Sequence, residues 1–133
     1  MMNKMMVGSA IMAGLLFSGW IYAEEGHKHG QKEASKTGAQ TIQGEVLDMV
    51  CFMAHEGQGP KHKSCALKCV KEGAPMGLLT KDGKVYLLIE DHASKKPYEQ
   101  MKDWAGSQAT VKGDAFEKGG VQAIVVKTSE KGK

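Results

Sequence analysis

All three cysteines of the chain fall between Cys51 and Cys69, together with two of its five histidines. The run reads Cys51-Phe-Met-Ala-His55, a link containing glycine and proline, then His62-Lys-Ser-Cys65-Ala-Leu-Lys-Cys69. Thiolate and imidazole are the side chains that bind soft and borderline metal ions. Residues three and four apart share a helix face, so His62, Cys65 and Cys69 would line one side of a helix. Cys51, arriving from the end of a preceding strand, would complete a Cys3His set of the kind that holds structural zinc. His55, four residues after Cys51, competes with His62 for the imidazole role. Copper(I) is the other ion the residues suit, because thioethers as well as thiolates bind it and Met49, Met53 and Met76 are close in sequence. Each methionine has a plainer use as core or loop packing. The pattern Cys-x13-Cys-x3-Cys is not a common zinc-finger spacing, so zinc and copper both stay open.

The same cysteines carry a second reading. In an oxidising compartment paired cysteines are usually structural, and three cysteines leave one over. Cys51 paired with Cys65 or Cys69 would staple a loop of about 15 residues, worth roughly 3 kcal/mol in the chain-entropy model. Cys65 with Cys69 is the poorer pair, because helical backbone spacing strains the bridge. The remaining thiol would be free or redox-active. A structural disulfide, however, needs neither a third cysteine four residues from the second nor two histidines in the same loop. That coincidence favours metal.

Other chemistries lack their residues. Covalent haem of the c type needs Cys-x-x-Cys-His, and a thioredoxin-like site needs Cys-x-x-Cys at a helix start. Cys51 with His55 or His62 could form a nucleophile pair, but no oxyanion-hole motif or third orienting residue accompanies it. The expectation is therefore binding rather than catalysis.

The elements around the cluster start with an export signal. Lys4 precedes an apolar stretch from Met5 to Ile21, followed by Tyr22-Ala23-Glu24. That order describes a secretory signal peptide over residues 1–23, cut after Ala23. The alternative is an uncleaved helix anchoring the chain in the inner membrane, since the stretch approaches the ~20 residues a span needs. Either way the remainder lies outside the cytoplasm, periplasmic or secreted. Residues 24–40, with His27, His29 and several lysines, hold little to bury and read as a disordered linker.

The domain is expected over 41–129, with a tail at 130–133. Ile42 and Val46 alternate on a first strand, where Gly44 marks a bulge or a close backbone approach. A helix follows over His62–Glu72, with Ser64 as a possible N-cap and Gly73 and Pro75 ending it. Met76–Thr80 and Lys84–Ile89 flank an Asp82-Gly83 turn, a strong hairpin signal. Pro97–Ala105 reads as a second short helix with Tyr98, Met101 and Trp104 on its apolar face. Ser107–Phe116 and Val121–Thr128 supply the last two strands. The fold class is mainly β: five strands and two short helices, in an order resembling the OB-fold, a Greek-key barrel.

The run Gly44-Glu-Val-Leu-Asp48-Met-Val-Cys51, then His62-x-x-Cys65-Ala66-x-x-Cys69, Gly73-x-Pro75 and Leu78-Leu-Thr-x-Asp-Gly83-x-Val-Tyr86, is similar to a group of small exported bacterial proteins of unknown function. The resemblance implies a fold and a location, and no activity.

Charge and composition narrow the partners. The formal charge is +3, and every one of the 18 basic residues is lysine. Without arginine there is no bidentate contact to phosphate or guanine, and the near-neutral balance gives no basic field. Nucleic acid is excluded as a partner on those grounds. A metal ion and another exported protein remain. His92, after Glu90-Asp91, and the pair Lys95-Lys96 read as solvated loop residues.

Overall fold

The computed structural model describes residues 35–133. The signal peptide expected over 1–23 and positions 24–34 of the linker lie outside the described residues. Among the described residues no helix is long and apolar enough to cross a membrane.

Five strands form one sheet that closes on itself. They are β1 (Ser35–Asp48), β2 (Met76–Leu79), β3 (Val85–Glu90), β4 (Gln108–Lys118) and β5 (Val121–Lys131). The order around the ring is β1-β2-β3-β5-β4, with β4 returning to β1. Only β3 and β5 run parallel, with Leu87 opposite Ala123; the other neighbours are antiparallel.

β1 is long enough to serve two neighbours along different parts of its length. Its first part pairs with β4 from Ser35↔Glu117 to Glu45↔Gln108, and its last four residues pair with β2. Gly44 sits where these pairings meet, and a Cβ there would run into the Leu79 carbonyl. Close backbone approach is thus the reason for this glycine. β1 also starts six residues before Thr41, so the end of the expected linker is a strand. Residues 35–40 bury almost nothing, which hid them from a composition argument, but the ladder to β4 satisfies their backbone. The Thr37 hydroxyl adds a hydrogen bond to the Ala115 carbonyl at 3.0 Å.

The hairpin forms as expected. β2 and β3 pair from Gly77↔Leu87 to Leu79↔Val85, and Gly83 turns with φ 81°. At the other end β5 runs through the expected tail to Lys131. Ser129 is held there, its hydroxyl donating to the Pro97 carbonyl at 2.6 Å and accepting from Gln100 at 2.7 Å.

The described residues hold three α-helices rather than two: α1 (Met49–His55), α2 (Lys63–Lys71) and α3 (Lys96–Glu99), the last continued as a 3-10 turn over Gln100–Trp104. α1 stands where the sequence suggested the end of a strand. Met101 and Ala105 are fully buried against the ring, with Tyr98 and Trp104 packed beside them. Ala66 and Val70 of α2 join the same core, which is otherwise Ile42, Val46, Met76, Leu78, Leu88, Ala109, Val111, Ile124 and Val126. The interior is filled with side chains.

Candidate metal centre

The connection from β1 to β2 carries every cysteine. Asp48, the last residue of β1, starts α1: its Oδ1 accepts from the Val50 amide at 2.9 Å and the Cys51 amide at 3.4 Å. Aspartate is among the strongest N-caps, and it turns the chain from strand to helix two residues before Cys51 can extend the strand. α1 ends at Glu56, which adopts the left-handed conformation with φ 56°. The link that follows is tied back to β1 by the Gly59 amide, which donates to Glu45 at 2.6 Å.

α2 begins at Lys63, with His62 at the cap position and no side-chain capping bond, so Ser64 lies inside the helix rather than capping it. Its buried stripe is Ala66 and Val70. Cys65 and Cys69 are each one residue earlier, on the adjacent face. This offset lets one helix pack on the core and still present two thiols toward α1.

The Cys51 and Cys65 sulfurs are 3.9 Å apart, and the sulfurs of Cys51, Cys65 and Cys69 all lie within 4.8 Å of one another. All three cysteines are free thiols; Cys65 is exposed and the other two are half-buried. A second group of mutually close ligand atoms is Cys51, His55 and His62. The two imidazoles meet edge to face, with ring centres 5.3 Å apart. The single Cys3His set suggested by helix spacing is not what the geometry assembles. His62 joins His55 and Cys51 instead, because α2 starts just after it and its ring turns back under the link. Gly57 makes this possible: a Cβ there would stand 2.6 Å from His62 Nε2.

Asp48 governs the electrostatics. It is fully buried, and Oδ2 has no partner of hydrogen-bonding geometry, although the Cys51 and Cys69 thiols stand close enough to act on it. Burial pushes its carboxyl up. The Cys51 thiol, the Val50 and Cys51 amides and the Cys69 thiol outweigh burial and leave it below the usual 3.8. The thiols respond in the opposite sense. The Asp48 carboxylate, then burial and the Cys65 thiol, push Cys51 from 9.0 up to about 12. Burial, the Cys65 thiol and Asp48 raise Cys69 as well. Cys51 is thus a protonated thiol at neutral pH and a poor nucleophile. A cation placed among the sulfurs reverses that balance by displacing the protons.

The methionines divide. Met76 is fully buried in the core and Met49 packs over Gly77, whereas Met53 is exposed on α1. Sequence reasoning missed Asp48, whose position ahead of Met-Val-Cys-Phe was a legible N-cap signal, and Gly57, whose role only the fold reveals. Away from the cluster, an open groove of about 630 Å³ is lined by Gln40, Thr41, Thr80, Tyr86 and Gln108 among others, and no cluster residue borders it. His92 is an exposed turn residue, and Lys95 pairs with Glu90 at 3.3 Å.

The chain matches no protein-family model, no curated protein and no solved structure.

Proposed function

We propose that this is an exported protein that binds a soft or borderline metal ion, copper(I) or zinc, between Cys51, Cys65 and Cys69, for carriage, sensing or structural stabilisation. The observation that carries the reading is the 3.9 Å sulfur separation. Metal–thiolate bonds of ~2.3 Å put sulfurs ~3.8 Å apart around a tetrahedral ion and ~4.0 Å apart in a trigonal plane. A disulfide needs ~2.05 Å. The exposure of Cys65 supports exchange of the ion with solvent or a partner. The ring order with parallel β3 and β5 supports an OB-like Greek-key barrel as the scaffold. The lysine-start, apolar-centre, Ala23-end pattern of residues 1–23 supports export.

A second reading is a non-enzymatic OB-like interaction module, docking another exported protein, in which Cys51 and Cys65 pair and Cys69 stays free. The contact between those two sulfurs favours it over the other pairings.

The deciding experiment titrates the reduced full chain with copper(I) and with zinc against competing chelators, beside a count of reactive thiols. The metal reading expects a tight ion that masks the thiols, and an affinity at least 100-fold weaker for that ion in Cys65→Ser. An unchanged affinity in that variant refutes the ligand set. Failure to bind either ion, with one bridge and one free thiol after purification in air, would establish the second reading.

A further inference from the structure

The trithiolate set leaves two grouped residues unused. His55 and His62 close a second set around the same sulfur, with all ligand atoms of Cys51, His55 and His62 within 4.8 Å of one another. We propose that Cys51 is a bridging thiolate between two metal ions, one held with Cys65 and Cys69 and the other with His55 and His62. This deepens the metal-binding reading and rests on it.

Three observations converge on the second position. A thiolate has lone pairs enough for two ions, and Cys51 is the residue common to both groups. His62 Nε2 is buried and lacks a hydrogen-bond partner, an uncommon state for a ring nitrogen and one that coordination would relieve. The backbone is shaped around it, since Gly57 leaves room for the ring where any side chain would strike Nε2. His55 stands across from it, exposed at the end of α1, so the position opens to solvent.

Charge points the same way. Three thiolates and the buried Asp48 carboxylate carry four negative charges. Two zinc ions balance them, whereas a single zinc would leave two negative charges in a partly buried cluster. Imidazole and thiolate together are a ligand mixture that zinc accepts, at ~2.0–2.1 Å and ~2.3 Å, and both groups span distances such bonds can bridge.

The test loads the reduced full chain with zinc and counts bound ions by native mass spectrometry and chelator competition. The expected result is two zinc ions per chain. His55→Ala and His62→Ala each lose one of them and hold the other within about threefold of its original affinity. A His27→Ala/His29→Ala variant keeps both, which separates the proposed position from scavenging by the N-terminal histidines. Cadmium-113 spectra of the substituted full chain give a readout independent of variants: two resonances, the more sulfur-rich at lower field, with only the other lost in His62→Ala. One zinc at saturation, two zinc ions persisting in both histidine variants, or loss of the second ion with His27 and His29, each overturns the bridge. If one ion binds and depends on Cys65 and not on the histidines, the bridge fails and the trithiolate reading stands. If zinc binding ignores Cys65→Ser and Cys69→Ser, the trithiolate reading itself fails.

Discussion

Replacing Asp48 by asparagine should make Cys51 more reactive. Asparagine keeps the N-cap, because its side-chain oxygen accepts the same Val50 and Cys51 amide hydrogens. It removes the charge and weakens the thiol–carboxylate hydrogen bond, which is the largest reason Cys51 stands at about 12 rather than 9.0. The comparison is made in a Cys65→Ser/Cys69→Ser background, where Cys51 is the one thiol and its titration is not shared. If the carboxylate supplies at least one pH unit of the rise, Asp48→Asn raises the thiolate fraction at pH 8 by about tenfold. Intrinsic nucleophilicity falls with basicity, with a Brønsted slope near 0.45, so about a third of that gain survives in the rate. The expected outcome is a three- to fourfold faster reaction with iodoacetamide at pH 8, with helix content unchanged by circular dichroism. An unchanged or slower rate, with the fold intact, would show that Asp48 does not control this thiol.

Two further outcomes follow from the same geometry. Metal must displace the protons that Asp48 and burial hold on Cys51 and Cys69, so zinc affinity should rise with pH between about 6 and 8.5, by about tenfold per pH unit for each proton released; a chelator competition series with no slope would contradict it. Gly44→Ala forces a Cβ against the Leu79 carbonyl at the point where β1 changes neighbours, so urea unfolding of the metal-free protein should show a loss of about 1–3 kcal/mol.

The strands were readable where alternation and turns spoke together. Ile42 and Val46 marked β1, and Asp82-Gly83 marked the hairpin. What failed had physical causes. Residues 35–40 form strand through backbone pairing and polar side-chain contacts without burying apolar side chains, so a reading based on apolar side chains stopped at Thr41. Met-Val-Cys-Phe has strand-like composition, yet the capping carboxylate of Asp48 starts a helix there, and local hydrogen bonding overrode propensity. For the site, the five candidate ligands were legible from residue type and spacing, and the structure brings all five together in two groups. Their partition was not legible. It depends on α2 starting after His62 and on the room that Gly57 leaves, and neither follows from a helical wheel.

Every grouped ligand comes from one uninterrupted stretch between Cys51 and Cys69, while the ring closes only when β5 reaches β3 and pairs Ala123 with Leu87. Contacts near in sequence form earlier and faster than those that must first close a long loop. The two parts of the protein are therefore expected to form at different stages of its assembly, the cluster first. An ion taken up early by the cluster would meet its ligands on a chain whose ring is still open, and holding α1 against α2 would fix the ends of β1 and β2 before β5 is in place. If the cluster takes up an ion while the chain folds, metal supply at that moment, rather than only afterwards, would change how quickly the native ring is reached.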